Sequence, residues 1–212
     1  MIQWVYEGAS KATLLDELIV ATDDDRIYQE VLGFGGKAIL TSSAHQSGTD
    51  RCAEVLSQFP DYELVINIQG DEPLVSAFQL DQLLGAFEDP EVMIATLVHT
   101  DVTLADLENV NRIKVLANAA QNAIYFSRSP LPNMYYAKKP EYPWLRHIGL
   151  YAYTSAALTQ IASLAPCALE QAESLEQLRW LYYGYKIRLV QTQIETPNID
   201  VPEDIEKVLP FL

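Results

Sequence analysis

Leu64-Val65-Ile66-Asn67-Ile68-Gln69-Gly70-Asp71-Glu72-Pro73 is an apolar run that stops at two carboxylates. A stretch of Leu, Val and Ile this short, closed by Gly and Pro, fits a strand buried on both faces of a parallel sheet. Open α/β sheets bind ligands in the crevice beyond the carboxyl ends of their strands. Gly70 lets the backbone turn there or approach a ligand closely, and Asp71 and Glu72 then project over that crevice. Asp71 is a hard oxygen donor of the kind Mg²⁺ takes when one or two carboxylates and substrate phosphates hold it. A helix N-cap, with Glu72 answering the macrodipole, fits the same residues equally well.

Outward from this strand the chain alternates. Upstream, residues 1–11 read as a helix for which Met1 offers no capping side chain. Strands follow at 18–22, ending in Asp23-Asp24-Asp25, and at 37–41, separated by a short helix over 25–32 that the Gly33, Gly35 and Gly36 cluster closes. Residues 50–59 carry Cys52, Val55, Leu56 and Phe59 at helical spacing. Downstream, helices are expected over 79–87, 155–163 and 169–183, the last stopped by Gly184, and over 202–209, where Pro202 starts the first turn. Strands are expected at 93–98, 113–117, 123–127, 148–154 and 187–193, with a proline- and tyrosine-rich loop over 129–144 that covers a site. This order predicts one α/β domain over residues 1–212 with a mostly parallel central sheet.

The 212 residues are 49% hydrophobic, enough for a full core, and 29 acidic against 14 basic residues leave a net charge of −15. Such a field repels nucleic acid and anionic lipid, so neither is expected as a partner. It also means that anionic substrates need local Arg, Lys or a metal. Cys52 and Cys167 are not spaced as ligands or a redox pair, no apolar run approaches ~18 residues, and the first residues lack a signal-peptide pattern. A cytoplasmic protein is expected.

Four further clusters carry polar chemistry. His45-Gln46-Ser47-Gly48-Thr49-Asp50-Arg51 opens a helix whose first amides can bind an anion or a base, although plain capping is the more economical account. Arg146-His147 precedes a strand, and Arg grips carboxylates in bidentate fashion. In Glu173-Ser174-Leu175-Glu176-Gln177-Leu178-Arg179, Leu175, Leu178 and Tyr182 make a buried stripe. Glu173, Glu176 and Arg179 are then expected on a solvated face. Asp200 stands just ahead of the Pro202 helix, where an N-cap is the bland account.

Taken in order, ATDD (Ala21 to Asp24), HQSGTDR (His45 to Arg51), NIQGDEP (Asn67 to Pro73), YFSRSPLP (Tyr125 to Pro132), LRHIGLYAY (Leu145 to Tyr153), LEQLRWLYYG (Leu175 to Gly184) and IDVPEDIE (Ile199 to Glu206) resemble the 3-deoxy-manno-octulosonate cytidylyltransferases, or CMP-Kdo synthetases. The resemblance implies a Rossmann-like nucleotidyltransferase fold with a smaller β-rich dimerisation and sugar-binding region near 123–155. It implies transfer of CMP from CTP to the sugar acid Kdo for lipopolysaccharide synthesis, dependence on Mg²⁺, and a homodimer. Asp71 and Asp200 would hold Mg²⁺ at the reacting centre. Gln69, His147, Tyr151, Glu176 and Gln177, with Arg128 on the sugar-acid side, would bind the sugar, and Ser47, Gly48 and Arg51 would lie by the cytidine. A related sugar acid, the 8-amino analogue of Kdo, fits the same motifs, as does a non-catalytic binding subunit.

The chain departs from the family in lacking a strand and a basic loop of the type IPARYxSxRLPGKPL, and Met1 corresponds to a position just after it. A weak or inactive catalyst is therefore expected, with a gap where a central strand belongs. Unsatisfied ladder groups beside such a gap would cost on the order of 1–3 kcal/mol each if buried.

Overall fold

In the computed structural model, which describes residues 1–135, 142–195 and 205–209, the chain begins with helix α1 (Ile2–Ala9) and strand β1 (Val20–Thr22). It continues through α2 (Asp25–Gly33), β2 (Ala38–Leu40), α3 (Gly48–Leu56), β3 (Leu64–Asn67), α4 (Ala77–Gly85), β4 (Ile94–His99) and α5 (Leu104–Glu108). Then come β5 (Lys114–Ala117), β6 (Ala123–Ser127), β7 (Arg146–Thr154), α6 (Ser155–Ala162), α7 (Ala168–Glu173), α8 (Gln177–Tyr182), β8 (Arg188–Thr192) and α9 (Ile205–Val208). Short polar side chains start several helices by accepting from orphan amides. Asp24 accepts from Arg26 N at 2.8 Å, Ser47 from Asp50 N at 3.1 Å, and Thr154 from Ala157 N at 3.2 Å.

The α/β class and the order of elements agree with the sequence, but the sheet is mixed. Strands β3, β4, β5 and β8 run one way, and β7 runs against them while lying between β4 on one side and β3 and β5 on the other. Most ladders are therefore antiparallel, and the parallel ones are β4 with β8 and β1 with β2. Alternation along β7 divides the core. Ile148, Leu150 and Ala152 pack with Leu80, Leu83 and Leu97 on one face, while Tyr151 and Tyr153 pack with Trp180, Leu158 and Ile161 on the other.

Three local expectations change. The single helix over 169–183 is two, α7 and α8, because Ser174 takes a left-handed conformation at φ 52° and breaks the ladder; Gly184 at φ 88° does mark the end. Tyr182 does not join Leu175 and Leu178 in the buried stripe but is exposed. β3 is half-buried along most of its length rather than enclosed. Among the described residues, β1 pairs only with β2, and β3 only with β7. Between β1 and β3 lies a cavity of about 900 Å³, floored by apolar side chains that include Val5, Leu18, Val20, Val65 and Ile66.

Candidate active site

The polar end of this cavity is built where α3 starts and β3 stops. Ser47 caps α3, and Gly48 brings the helix backbone against β3 so closely that a Cβ there would stand 3.1 Å from Asn67 Nδ2 and 3.6 Å from Gln69 Nε2. Gln69 Nε2 donates to Asn67 Oδ1 at 3.4 Å, which places both amides over the first turn of α3. Helix amides and a macrodipole there favour an anion or the polar edge of a base. Arg51, one turn further, is held at the ends of β1 and β2: it donates to Thr41 Oγ1 at 2.5 Å and pairs with Asp23 at 3.1 Å. Among the described residues lining the cavity, Arg51 is the one side chain with a permanent positive charge, against Asp16, Glu17, Asp61 and Glu63 in the same lining.

A second group meets this one from β7 and α8. Register sets Tyr151 opposite both Asn67 of β3 and Thr96 of β4. His147 lies 3.1 Å from Thr96 Oγ1, with its ring 5.3 Å from that of Tyr151 and 5.1 Å from that of Phe126. Burial, with the neighbouring Arg146 charge, pushes the His147 imidazole down to about 3, so it is neutral at physiological pH. Burial pushes the phenols of Tyr151 and Tyr153 well up, leaving them as neutral hydrogen-bonding groups. Thr49 Oγ1 donates to Glu176 Oε2 at 2.9 Å, bridging α3 to the head of α8 across 127 residues of sequence. Burial raises the Glu176 carboxyl against the lowering effect of its hydroxyl partners Thr49 and Ser47. Gln177 follows it, buried in the first turn of α8.

The structure thus brings together Ser47, Gly48, Gln69, His147, Tyr151, Glu176 and Gln177. Asp71 stands half-buried in the turn after β3, at the end of the strand on which the sequence argument began. Asp200 lies outside the described residues, as do Lys138 and Lys139 of the proline- and tyrosine-rich stretch. Among the described residues no three His, Cys, Asp or Glu side chains converge as a cation cage. Arg128 is engaged elsewhere: its guanidinium donates to the carbonyls of Glu173 (2.6 Å), Val110 (3.0 Å) and Ser174 (3.3 Å).

Three groups expected on a solvated face are committed to partners instead. Glu176 is in the site, Glu173 accepts from Ser127 and Arg128, and Arg179 pairs with Glu170. His45 is likewise tied to Glu54 and Arg146 to Glu195. Sequence reasoning passed over Thr49, Asn67 and Thr96 as individual side chains. The signal for Thr96 was a lone hydroxyl inside the otherwise apolar run of β4, which is buried throughout.

The sequence profile of the family described as Cytidylyltransferase matches residues 1–187. The 3-deoxy-manno-octulosonate cytidylyltransferase of Bacteroides thetaiotaomicron is 47% identical over 220 aligned residues, covering 100% of this chain and 87% of that protein. The enzyme of the same name from Fusobacterium nucleatum is 42% identical, covering 100% and 86%. A solved CMP:2-keto-3-deoxy-manno-octonic acid synthetase complexed with CTP superposes with a TM-score of 0.93 at 41% identity, over 99% of this chain and 86% of that one. A 4-diphosphocytidyl-2C-methyl-D-erythritol synthase from Anaerococcus prevotii shares the fold alone, with a TM-score of 0.64 at 14% identity over 99% of this chain and 84% of that one.

Proposed function

Because the chain belongs to the cytidylyltransferase family, on the side of the 3-deoxy-manno-octulosonate enzymes, we propose that it transfers CMP from CTP to the anomeric hydroxyl of Kdo, yielding CMP-Kdo and pyrophosphate for lipopolysaccharide synthesis. The sugar hydroxyl oxygen forms a bond to the α-phosphorus, the bond from that phosphorus to the β-bridging oxygen breaks, and the hydroxyl proton is released. The observation that carries this reading is the junction of two groups. Amides at the head of α3 suit the nucleotide, hydroxyl-binding side chains of β7 and α8 suit the sugar, and the Thr49–Glu176 bond joins them. Held together, the two substrates react as if within one molecule.

Neutral His147 and Tyr151, with Glu176, Gln177 and Gln69, offer the fixed donors and acceptors that sugar hydroxyls require. Ser47, Gly48 and Arg51 are assigned to the cytidine side. Arg128 is assigned to the sugar-acid side only if it exchanges its carbonyl partners for the carboxylate. Mg²⁺ is the cofactor in this reading. Asp71 fits it as a hard, half-buried carboxylate beside the cavity, Asp200 is proposed as the second, and the nucleotide phosphates complete the shell. When bound, the ion supplies charge stabilisation for the phosphates.

A homodimer is proposed on the surface where α8 lies beside β6, with Tyr182, Tyr183 and Ile124 exposed. Among the described residues no helix is long and apolar enough to cross a membrane, and both cysteines are free. Cytoplasmic residence is the reading these favour. Slow turnover is also proposed for these 212 residues, because Arg51 is the one permanent cation along the described cavity wall and is already paired.

Pyrophosphate release from CTP and Mg²⁺ with and without Kdo tests the reading. Slow release that needs Kdo, CTP and Mg²⁺ together is expected. Equal rates with the 8-amino analogue would refute the choice of sugar. Absence of release, together with unchanged Kdo affinity on Glu176→Gln, would refute the site.

A further inference from the structure

Glu173 has no place in the mechanism above, yet both of its carboxylate oxygens are spoken for. Oε1 accepts from Ser127 Oγ at 2.8 Å and Oε2 from the backbone N–H of Arg128 at 2.8 Å, at the end of β6 and 45 residues or more away in sequence. Arg128 answers with its guanidinium on the carbonyls of Glu173 and Ser174, the residue pair at which α7 ends. Lys114, buried on the neighbouring strand β5, donates to the carbonyl of Arg128 and to that of Asn109, at 2.5 and 3.0 Å. The main chain at 173–174 is therefore pinned from two directions. Ser174 turns left-handed, Leu175 closes on the Glu170 carbonyl at 3.1 Å and is buried, and Glu176 emerges facing Thr49.

We propose that Glu173 is a positioning residue for the sugar side of the site: by clamping the end of β6 to the turn between α7 and α8 it fixes where Glu176 and Gln177 point. The inference rests on the assignment of Glu176 to the sugar. Its physical basis is direct. Without the clamp the Arg179–Glu170 pair still joins α7 to α8, but the turn between them loses its carboxylate tie to β6, and helices of six residues each have little stability of their own. Displacement of a substrate-holding group by ~1 Å is enough to cost up to about 100-fold in rate.

The test is a cycle of Glu173→Gln, Glu176→Gln and the double variant, with Kdo and CTP titrated separately by calorimetry. Gln keeps the size of Glu173 and one acceptor but sets an amide NH₂ against one of the two donors. Kdo affinity is expected to fall about tenfold in Glu173→Gln while CTP affinity holds, and the double variant is expected to lose less than the two single losses combined, because part of the Glu173 effect runs through Glu176. Unchanged Kdo affinity, or losses that simply add, would overturn the inference. Should Glu173→Gln not fold, Ser127→Ala removes one of the same bonds and should shift Kdo affinity in the same direction by a smaller factor.

A second readout is independent of the sugar. The Glu176 carboxyl, which faces Thr49, Ser47, Arg179 and Asp50, is followed by carbon NMR against pH. Loss of the clamp should let water in and move its titration down toward the ordinary glutamate value; a titration that stays in place would overturn the inference. If wild-type protein binds no Kdo, the substrate reading fails, and the carboxyl titration alone decides the clamp.

Discussion

Replacing Arg179 by Met keeps an unbranched stem of similar length in α8 and deletes the guanidinium. Nε of Arg179 donates to Glu170 Oε2 at 2.7 Å, and Nη2 pairs with the other carboxylate oxygen. The two side chains are only 12% and 14% exposed. Exposed pairs are worth about 0–1 kcal/mol, whereas removing one partner of a buried pair costs about 3–5 kcal/mol. With both groups mostly enclosed and Glu170 keeping its acceptance from Cys167 N at 3.3 Å, a loss of about 2–4 kcal/mol is expected. For a chain of this size that lowers Tm by roughly 5–15 °C.

The pH dependence follows from the same contact. The Arg179 hydrogen bonds hold the Glu170 carboxyl below its ordinary value of 4.5. The stabilisation is therefore complete above that value and decays as pH falls through the lowered one. Urea unfolding of wild type and Arg179→Met at pH 7 and toward pH 4 is the assay. The gap between the two should narrow in acid, and Glu170→Leu added to Arg179→Met should recover part of the loss. A cost under about 1 kcal/mol at pH 7, or one that does not change with pH, would refute the claim that this pair is buried and functional in holding α7 to α8.

Further outcomes are open to simple measurement. The His147 ring should show no titration by proton NMR between pH 8 and 5, since burial and Arg146 push it down to about 3; a midpoint near 6 would refute its enclosure. Gly8→Ala should destabilise α1 by about 1–3 kcal/mol although Ala is the better helix former, because the new Cβ would stand 2.9 Å from the backbone carbonyl of Val75. A rise in Tm would show that α1 is free to shift. Cys52, whose thiol burial pushes up to about 12 with the Glu176 charge adding to it, should resist alkylation at pH 8 in the folded protein. Rapid labelling at that pH would contradict it.

The strand at 64–67 was legible because apolar runs and Gly-Asp-Glu-Pro punctuation act locally, and capping by the HQSGTDR stretch, which falls to Ser47, was legible for the same reason. Antiparallel β7 was not, because strand direction depends on which partners a strand finds, and nothing within residues 146–154 encodes that Tyr151 lies opposite both Asn67 and Thr96. The break at Ser174 was hidden by good helical periodicity on both sides. It is imposed by Arg128 and Glu173 meeting across 45 residues, a tertiary override of local propensity. In the site, Glu176 and Gln177 came from the family resemblance, while helical spacing alone put Glu176 on a solvated face. Thr49, which makes the bond that joins the two halves, stood in plain view in the HQSGTDR stretch and was not singled out.

β1 and β2 form a ladder of three residues each that no further strand extends among the described residues. What holds this pair to the remainder is side-chain packing against α2 and α3 together with the Arg51 contacts to Asp23 and Thr41, not a continuous backbone mesh. Such a fragment is expected to open as a unit of its own while the six-stranded sheet stays intact. Amide hydrogens of Ala21 and Thr22 should exchange orders of magnitude faster than those of Thr96 or Ala152, and nucleotide, on the proposed assignment of Arg51 to its cytidine side, should slow the former selectively. Ligand binding would then act as the seam that makes two folding units behave as one.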